Sequence, residues 1–414
     1  MILLYELLLS YDNLGKPPDC DEGGDIMRIE MLRKLNLYLA RVSIFLIMAA
    51  LIAGPAGCTP SQNLEIRTWY DLDAVRDNLA GNYTLTSHLD SSSAGYAELA
   101  GPTANGGKGW QPIGTGFEDQ FFTGSFDGQG YEIRDLFINR PDENYIGLFG
   151  GADEGGHIEN TGVVDAYVIG GNGTSGLVGV NGGTLANSYS AGNVTGQSWV
   201  GGLVGANGGT VNYCYSTGSV TGFGYVGGLM GGSSYGAVSN SYFAGNVTGV
   251  FIVGGLVGWN ERGSVSKSYS AGSATGVTFV GGLVGANGGN VSDSYSLDSV
   301  SGNSSVGGLI GDNKWTVSNC YAAGSVVGNN DTGGLVGEGT YGDVTNSFWD
   351  TKTSGQSTSA GGTGKTTAEM HDITTFSDAG WNIIAVGSSG ERNPSYIWNI
   401  VDDVTYPLLS WQPV

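Results

Sequence analysis

From residue 147 to residue 337, apolar and small residues recur in one fixed order. The tetrad Gly-Leu-Val-Gly, or a close variant, begins at residues 147, 176, 202, 228, 255, 282, 308 and 334, at intervals of 29, 26, 26, 27, 27, 26 and 26 residues. Aligned copies read Val-Gly-Gly-Leu-Val-Gly-x-Asn-x-Gly-x-Val-x-x-Ser-Tyr-Ser-x-Gly-x-Val-x-Gly. In each copy three short runs alternate apolar and polar residues between Gly or Asn, which predicts three short strands and leaves no room for a helix. A unit this short cannot bury its apolar face alone, so the copies must stack. The predicted fold is all-β, a parallel β-solenoid (β-helix) of about 8–9 coils with ~26 residues per coil and small α-containing N- and C-terminal flanks.

Stacking turns every repeat position into a file that runs from coil to coil. Leu177, Leu203, Leu229, Leu256, Leu283, Leu309 and Leu335 form one expected core file. Val211, Val238, Val265, Val291, Val317 and Val344 form a second, and Val194, Val220, Val247, Ala274, Val300 and Val326 a third. Tyr189, Tyr215, Tyr242, Tyr269, Tyr295, Tyr321 and Phe348 make an aromatic file expected to serve packing. Four residues after the Leu come Asn181, Asn207, Asn260, Asn287 and Asn313, interrupted by Ser233 and Gly339. Asn tolerates left-handed turns and stacked amides hydrogen-bond to one another, so these five are expected to form a structural ladder.

Function is sought where the copies disagree. The residue before each Val-Gly-Gly is Trp199, Tyr225, Ile252 or Phe279, and its equivalents further on are Ser305 and Asp331. A position that passes from Trp to Asp between matching coils suits full burial poorly, which makes the first four a candidate exposed binding stripe. Simple alternation instead places them on the Leu side, in the core, unless the Gly-Gly pair breaks the parity.

Composition narrows the classes. Glycine accounts for 75 of 414 residues at fixed places in each copy, without the Gly-X-Y order of collagen. With 38 acidic against 16 basic residues the net charge is −22, which repels phosphate and excludes nucleic acid as an expected partner. The acids could hold surface Ca²⁺, but nothing matches an EF-hand loop or the Gly-Gly-x-Gly-x-Asp calcium roll, so no metal or other cofactor is expected. Cys214 and Cys320 occupy the same repeat position four coils apart, roughly 19 Å at strand spacing and far beyond disulfide reach, so neither a disulfide nor a disulfide-linked partner is expected.

The ends read differently. Arg28, Arg33, Lys34 and Arg41 precede an apolar run from Val42 to Ile52, the layout of an export signal, and Met27 or Met31 fits better than Met1 as its start. The run ends Ala-Gly-Pro-Ala-Gly-Cys. It resembles a bacterial lipoprotein signal with Cys58 as the lipidated residue, although Pro55 stands where that family has Leu, Val or Ile. The expected organisation is leader and signal over 1–57, an N-terminal flank or cap over 58–109, the repeat solenoid over 110–349 and a C-terminal cap over 350–414. In the last segment Ser-Ala-Gly-Gly-Thr-Gly-Lys-Thr-Thr (359–367) only mimics a P-loop, since Ser359 stands where the first Gly is required. Thr366 and Glu369 there predict a capping box opening a short helix.

The repeat resembles the GLUG motif, found in many secreted or surface proteins of bacteria and archaea, over roughly residues 110 to 350. The resemblance implies a β-solenoid at the cell exterior with no established chemistry for most members. GLUG repeats also occur in some IgA-cleaving metallopeptidases, but the three histidines, His88, His157 and His371, form no His-Glu-x-x-His pair. The titratable residues of the regular coils share no file, and Asp298 with Lys267 is the least poor catalytic pair among them. No catalytic residue is therefore assigned. The expectation is a non-enzymatic, extracellular or cell-surface β-solenoid, lipid-anchored to a membrane, serving adhesion, glycan or protein binding, or envelope architecture. The alternative is a carbohydrate-active β-helix enzyme, a lyase or hydrolase.

Overall fold

The structure, a computed structural model, describes residues 63–116, 120–339 and 341–412. The leader, its signal, and Cys58 lie outside the described residues. The remainder is a parallel β-solenoid of about eight turns, in agreement with the repeat. One coil shows the plan: Ser198–Gly201 lies on a first sheet, Val204–Asn207 and Thr210–Asn212 on a second, and Tyr215–Thr221 on a third. Each strand pairs in parallel with its copy one repeat later: Val200 with Val226, Val211 with Val238, Tyr215 with Tyr242.

The three expected core files point inward. All seven Leu are fully buried, and the two Val files are buried throughout except Val344, which is half-buried at the C-terminal end. Two more core files were not anticipated: the residue after each Leu (Val178, Val204, Met230, Val257, Val284, Ile310, Val336) and the Val of Val-Gly-Gly. Leu203 and Val204 are both inside because the chain bends at Gly202–Leu203, between two sheets, where strand alternation does not hold.

The second Gly of each tetrad is required by close approach. A Cβ built on Gly179, Gly205, Gly231, Gly258, Gly285, Gly311 or Gly337 would lie 2.3–2.7 Å from backbone atoms of an adjacent coil. A second glycine file, Gly192, Gly218, Gly245 and Gly272, lies against the carbonyl oxygen of the coil before. Asp298 takes that place in the next coil, and the strand there splits into Tyr295–Ser296 and Ser299–Ser301.

The amide ladder is internal. Asn181 Nδ2 donates to Asn207 Oδ1 at 2.8 Å, Asn260 to Asn287 at 2.8 Å, and Asn287 to Asn313 at 2.9 Å, with all five Asn buried. None has positive φ, so left-handed geometry is not the reason for Asn here. Burial is the reason: an amide can donate to one neighbour and accept from the other, which leaves few polar atoms unpaired inside.

The flanks do more than end the solenoid. Parallel pairing begins inside the expected N-terminal flank, where Leu64–Ile66 pairs with Asn82–Leu85 and that strand with Ser125–Asp127. A short helix, Trp69–Asp73, opened by a Thr68–Asp71 capping box, buries Trp69 and Leu72 there. At the other end Phe348–Asp350 pairs with Thr363–Lys365, and Thr366 with Glu369 caps the helix Thr367–His371. The chain then folds back along the tyrosine file. Neighbouring rings from Tyr189 to Tyr321 stack at 4.7–5.0 Å within 3–7° of parallel. Trp411 Nε1 donates to the Lys267 carbonyl at 2.9 Å, Gln412 Nε2 to the Tyr295 hydroxyl at 2.6 Å, and the Tyr321 hydroxyl to the Pro407 carbonyl at 2.7 Å. This strap buries Tyr295 and Tyr321 and leaves Tyr189 and Tyr215 half-buried.

Replacing Asn287 by Ala should lower stability by about 2–4 kcal/mol, because Asn260 and Asn313 each lose a buried partner. Asn287→Ser should cost less, since Ser233 already stands in the file and donates to the Gly236 carbonyl. Thermal unfolding followed by circular dichroism would show the order; equal midpoints for wild type and Asn287→Ala would contradict the ladder's role.

Candidate binding groove

The residue preceding Val-Gly-Gly has a backbone unlike the strand around it. Trp199, Tyr225, Ile252, Phe279, Ser305 and Asp331 have φ of 57, 52, 55, 57, 53 and 48°, in the left-handed region. Left-handed geometry is costly for bulky side chains and rare for a β-branched one such as Ile252. The ladder tolerates it by passing over the residue: Ser198 pairs with Gly224 and Val200 with Val226, with no partner for Trp199. The register is the same on both sides of it, so no extra residue is inserted, and the left-handed kink re-aims one side chain in each coil. It also resolves the parity question, since Trp199, Tyr225, Ile252 and Phe279 are half-buried rather than core, Ser305 is buried and Asp331 is exposed.

The file extends further back than the Val-Gly-Gly signature. The bridges Ile146–Thr174 and Thr174–Val200 place Tyr145 and Gly173 in the same file, with φ of 56° and 70°. Trp199, Tyr225 and Ser305 reach the third residue after the Leu in the following coil, Gly232, Trp259 and Glu338 in turn. A Cβ on Gly232 would meet the Trp199 ring at 2.4 Å, and the Ser305 hydroxyl donates to Glu338 at 2.9 Å. That second file reads Val180, Ala206, Gly232, Trp259, Ala286, Asp312 and Glu338. Trp199 stacks on Tyr225 at 4.7 Å and 19°, and Trp259 packs against both rings at 5.6 and 5.3 Å.

Beside this cluster lies an open groove of about 750 Å³, of the size that takes small ligands. Its walls are Tyr145, Gly173, Trp199 and Tyr225 with Asn144, Asn172, Ser198, Asn207 and Ser234, and none of its lining residues is charged. Tyr145 and Trp259 escaped sequence reasoning. Tyr145 precedes Ile-Gly-Leu instead of Val-Gly-Gly-Leu, and only the bridge register restores its phase; Trp259 is a single exception in a file of small residues. Two further exposed rings, Phe223 and Phe251, lie 5.4 Å apart near the stripe.

Towards the C-terminal end the same face turns acidic. Asp312 is buried beside the Lys314 ammonium at 2.8 Å, and Asp331 is exposed. Here, contrary to the expectation that the titratable residues share no file, Asp312 is the register partner of Glu338 one coil on, and the Lys314 ammonium interacts with both carboxylates. Asp298 lies inside the solenoid over Gly255, far from pairing with Lys267, and its Oδ2 accepts from the Ser270 hydroxyl at 2.5 Å. The histidines sit apart: His88 by Glu132, His157 by Glu159, His371 against the Tyr406 ring. Among the described residues no three His, Cys, Asp or Glu gather in a metal-holding arrangement, and no helix is long and apolar enough to cross a membrane. Cys214 and Cys320 are buried free thiols, and burial pushes the Cys214 thiol up to about 12.

Residues 196–221, the coil that carries Trp199, match the GLUG motif family model. The chain carries a GLUG repeat. Over 146 residues it is 36% identical to Halomucin of Haloquadratum walsbyi, covering 34% of this chain and 2% of that protein. Over 120 residues it is 36% identical to a protein named as a Gly-rich membrane protein of Evansella cellulosilytica, covering 29% of this chain and 13% of that one. The chain thus spans a small part of the length of either relative. Among solved structures it resembles one named as an immunoglobulin A1 protease from Bacteroides ovatus, with 18% identity, 86% of this chain and 94% of that chain covered, and a TM-score of 0.48. Another, named IgA1 Protease, gives 17% identity and a TM-score of 0.36 over 72% of this chain and 20% of that one. Neither likeness bears on activity. The relatives' names are those of surface-type proteins.

The buried Asp298 predicts a pH effect. Desolvation raises its folded-state pKa from 3.8 to about 7, with the Ser270 hydrogen bond acting in the opposite direction. A carboxyl whose folded pKa exceeds its unfolded one favours the folded state fully below the unfolded value, so stability should fall from about pH 4 to about pH 7 and then level off. Asp298→Asn should abolish that slope and stabilise the protein at neutral pH by a few kcal/mol at most. Parallel thermal melts of the two proteins at pH 5 and pH 8 test it, and a pH-independent difference between them would refute the assignment.

Proposed function

We propose that this chain is a non-enzymatic surface solenoid that binds neutral glycan along the groove and stripe running from Tyr145 to Phe279. One observation carries the reading: the left-handed kink turns a file of rings out of the core, beside a groove lined only by uncharged polar and apolar groups. Aromatic rings supply a large apolar surface, while the amides of Asn144 and Asn172 and the hydroxyls of Ser198 and Ser234 supply directional hydrogen bonds. A net charge of −22 disfavours anionic ligands and nucleic acid. The absence of Asp, Glu and His from the groove lining favours binding there over a lyase or hydrolase reaction, which needs paired titratable groups at one substrate. No cofactor enters this reading.

Display at the cell surface, with lipid tethering through Cys58, belongs to the same proposal. The signal-like sequence before Cys58 and the names of the two relatives support it. Adhesion to a glycan-bearing neighbour or envelope layer would follow from such a position.

The test is a glycan array probed with wild type and with the triple variant Trp199→Ala, Tyr225→Ala, Phe279→Ala. Wild type should bind neutral oligosaccharides and the variant should lose at least about tenfold in affinity, the size of effect that buried aromatic anchors carry. Equal binding by the two proteins would dismiss the stripe.

A further inference from the structure

Eight successive coils place one left-handed residue at the same point: Tyr145, Gly173, Trp199, Tyr225, Ile252, Phe279, Ser305 and Asp331. Seven carry a side chain and one does not. Gly173 therefore leaves a one-residue gap in the file, between an aromatic ring in the coil before it and an aromatic ring in the coil after it. The Trp199 indole stacks on Tyr225 at 4.7 Å and packs against Trp259 at 5.6 Å, both on later coils, and it lines the groove together with Gly173. Tyr145 closes the gap from below, since a Cβ on Gly173 would lie 2.7 Å from its Cδ1. Coils stack at roughly 4.8 Å, so the backbones of Tyr145 and Trp199 stand two coils apart, and the Gly173 coil between them carries no ring of its own. The 750 Å³ groove opens there.

We propose that this gap is the specificity point of the groove, and that a single pyranose ring of a neutral glycan inserts at Gly173 with one face against Trp199. The proposal rests on the glycan-binding reading above and deepens it. The chemistry of the rim selects the occupant. Asn144 and Asn172 stand exposed at the mouth, the Asn144 Oδ1 already accepting from the Asn172 backbone N–H at 2.9 Å, and Ser198 lies beside them. Amides and a hydroxyl around an apolar ring face match a ring that is apolar above and below and hydroxylated around its edge. An anionic ring such as a nucleotide finds no basic residue among the lining groups and faces the chain's overall negative charge. An aromatic side chain of a partner protein would leave the rim amides without hydrogen-bond partners when it closed over them.

The file itself supplies a blocking variant, because Trp199 and Tyr225 show that large side chains are accommodated at this backbone geometry. The experiment is calorimetric titration of the purified chain with cellohexaose, chitohexaose, laminarihexaose and mannohexaose, and separately with N-acetyltryptophanamide. Wild type should bind at least one hexasaccharide. Gly173→Tyr should weaken it by about tenfold or more, Asn172→Ala by about threefold or more, and Tyr341→Ala, at an exposed ring outside the groove and stripe, by less than about twofold. Should the ring introduced by Gly173→Tyr fail to fit beside Tyr145, the exposed Asn172→Ala still decides the matter. If Gly173→Tyr and Asn172→Ala bind like wild type while the triple stripe variant does not, the gap is overturned and the stripe reading stands. Absence of binding to all four hexasaccharides overturns both, and N-acetyltryptophanamide binding that Gly173→Tyr abolishes would reassign the gap to a protein partner.

Discussion

Everything in this molecule depends on the in-register approach of one coil to the next. Adjacent coils hydrogen-bond at strand spacing, and at the second Gly of each tetrad they come so close that a methyl group would overlap the neighbouring backbone. That approach is what keeps Leu over Leu and Val over Val for the length of the repeat. It also lets buried Asn side chains of neighbouring coils pair with their own copies, each amide carrying one donor and one acceptor group.

A molecule built by stacking identical positions has two places for novelty: where a file changes identity, and where something lies across the files. The left-handed file is the first kind. Its backbone geometry is kept from Tyr145 to Asp331 while its chemistry runs from aromatic through glycine and aliphatic to acidic. The costly geometry is held by pairing on either side of it, so the side chain is free to vary. The C-terminal strap is the second kind. Trp411 and Gln412 reach back over the coils of Tyr242 to Tyr295 and bury a tyrosine stack that would otherwise lie open. Asp298 is a third, smaller case: a substitution in a glycine file that breaks a strand and buries a carboxyl with one hydrogen-bonded oxygen.

Much of this was legible beforehand. The spacing of the tetrads led to the parallel solenoid, the expected core files are inside, and the Asn file forms hydrogen bonds from coil to coil. The candidate stripe was legible as a discrepancy among copies, but its exposure was not, because strand alternation and the changing identity of the residue pointed opposite ways. The left-handed kink that separates these readings is kept by pairing across coils, and nothing in Trp, Tyr, Ile or Phe signals positive φ. Gly173 and Tyr145 were missed for a related reason: their coils spell the approach to Leu differently, and only the bridges to Thr174 and Val200 align them.

By itself, then, the sequence determined the repeat length, the parallel stacking and the identity of the main buried files, because periodicity of apolar residues is a local property that burial converts directly into packing. The tertiary structure alone decided which side of the wall each variable residue occupies, that Leu and its neighbour are both internal at a corner, that the C-terminal segment lies along the tyrosines, and that one missing side chain opens a gap between two rings. Those outcomes depend on contacts between residues a full coil or more apart, and a pattern read along the chain does not carry them.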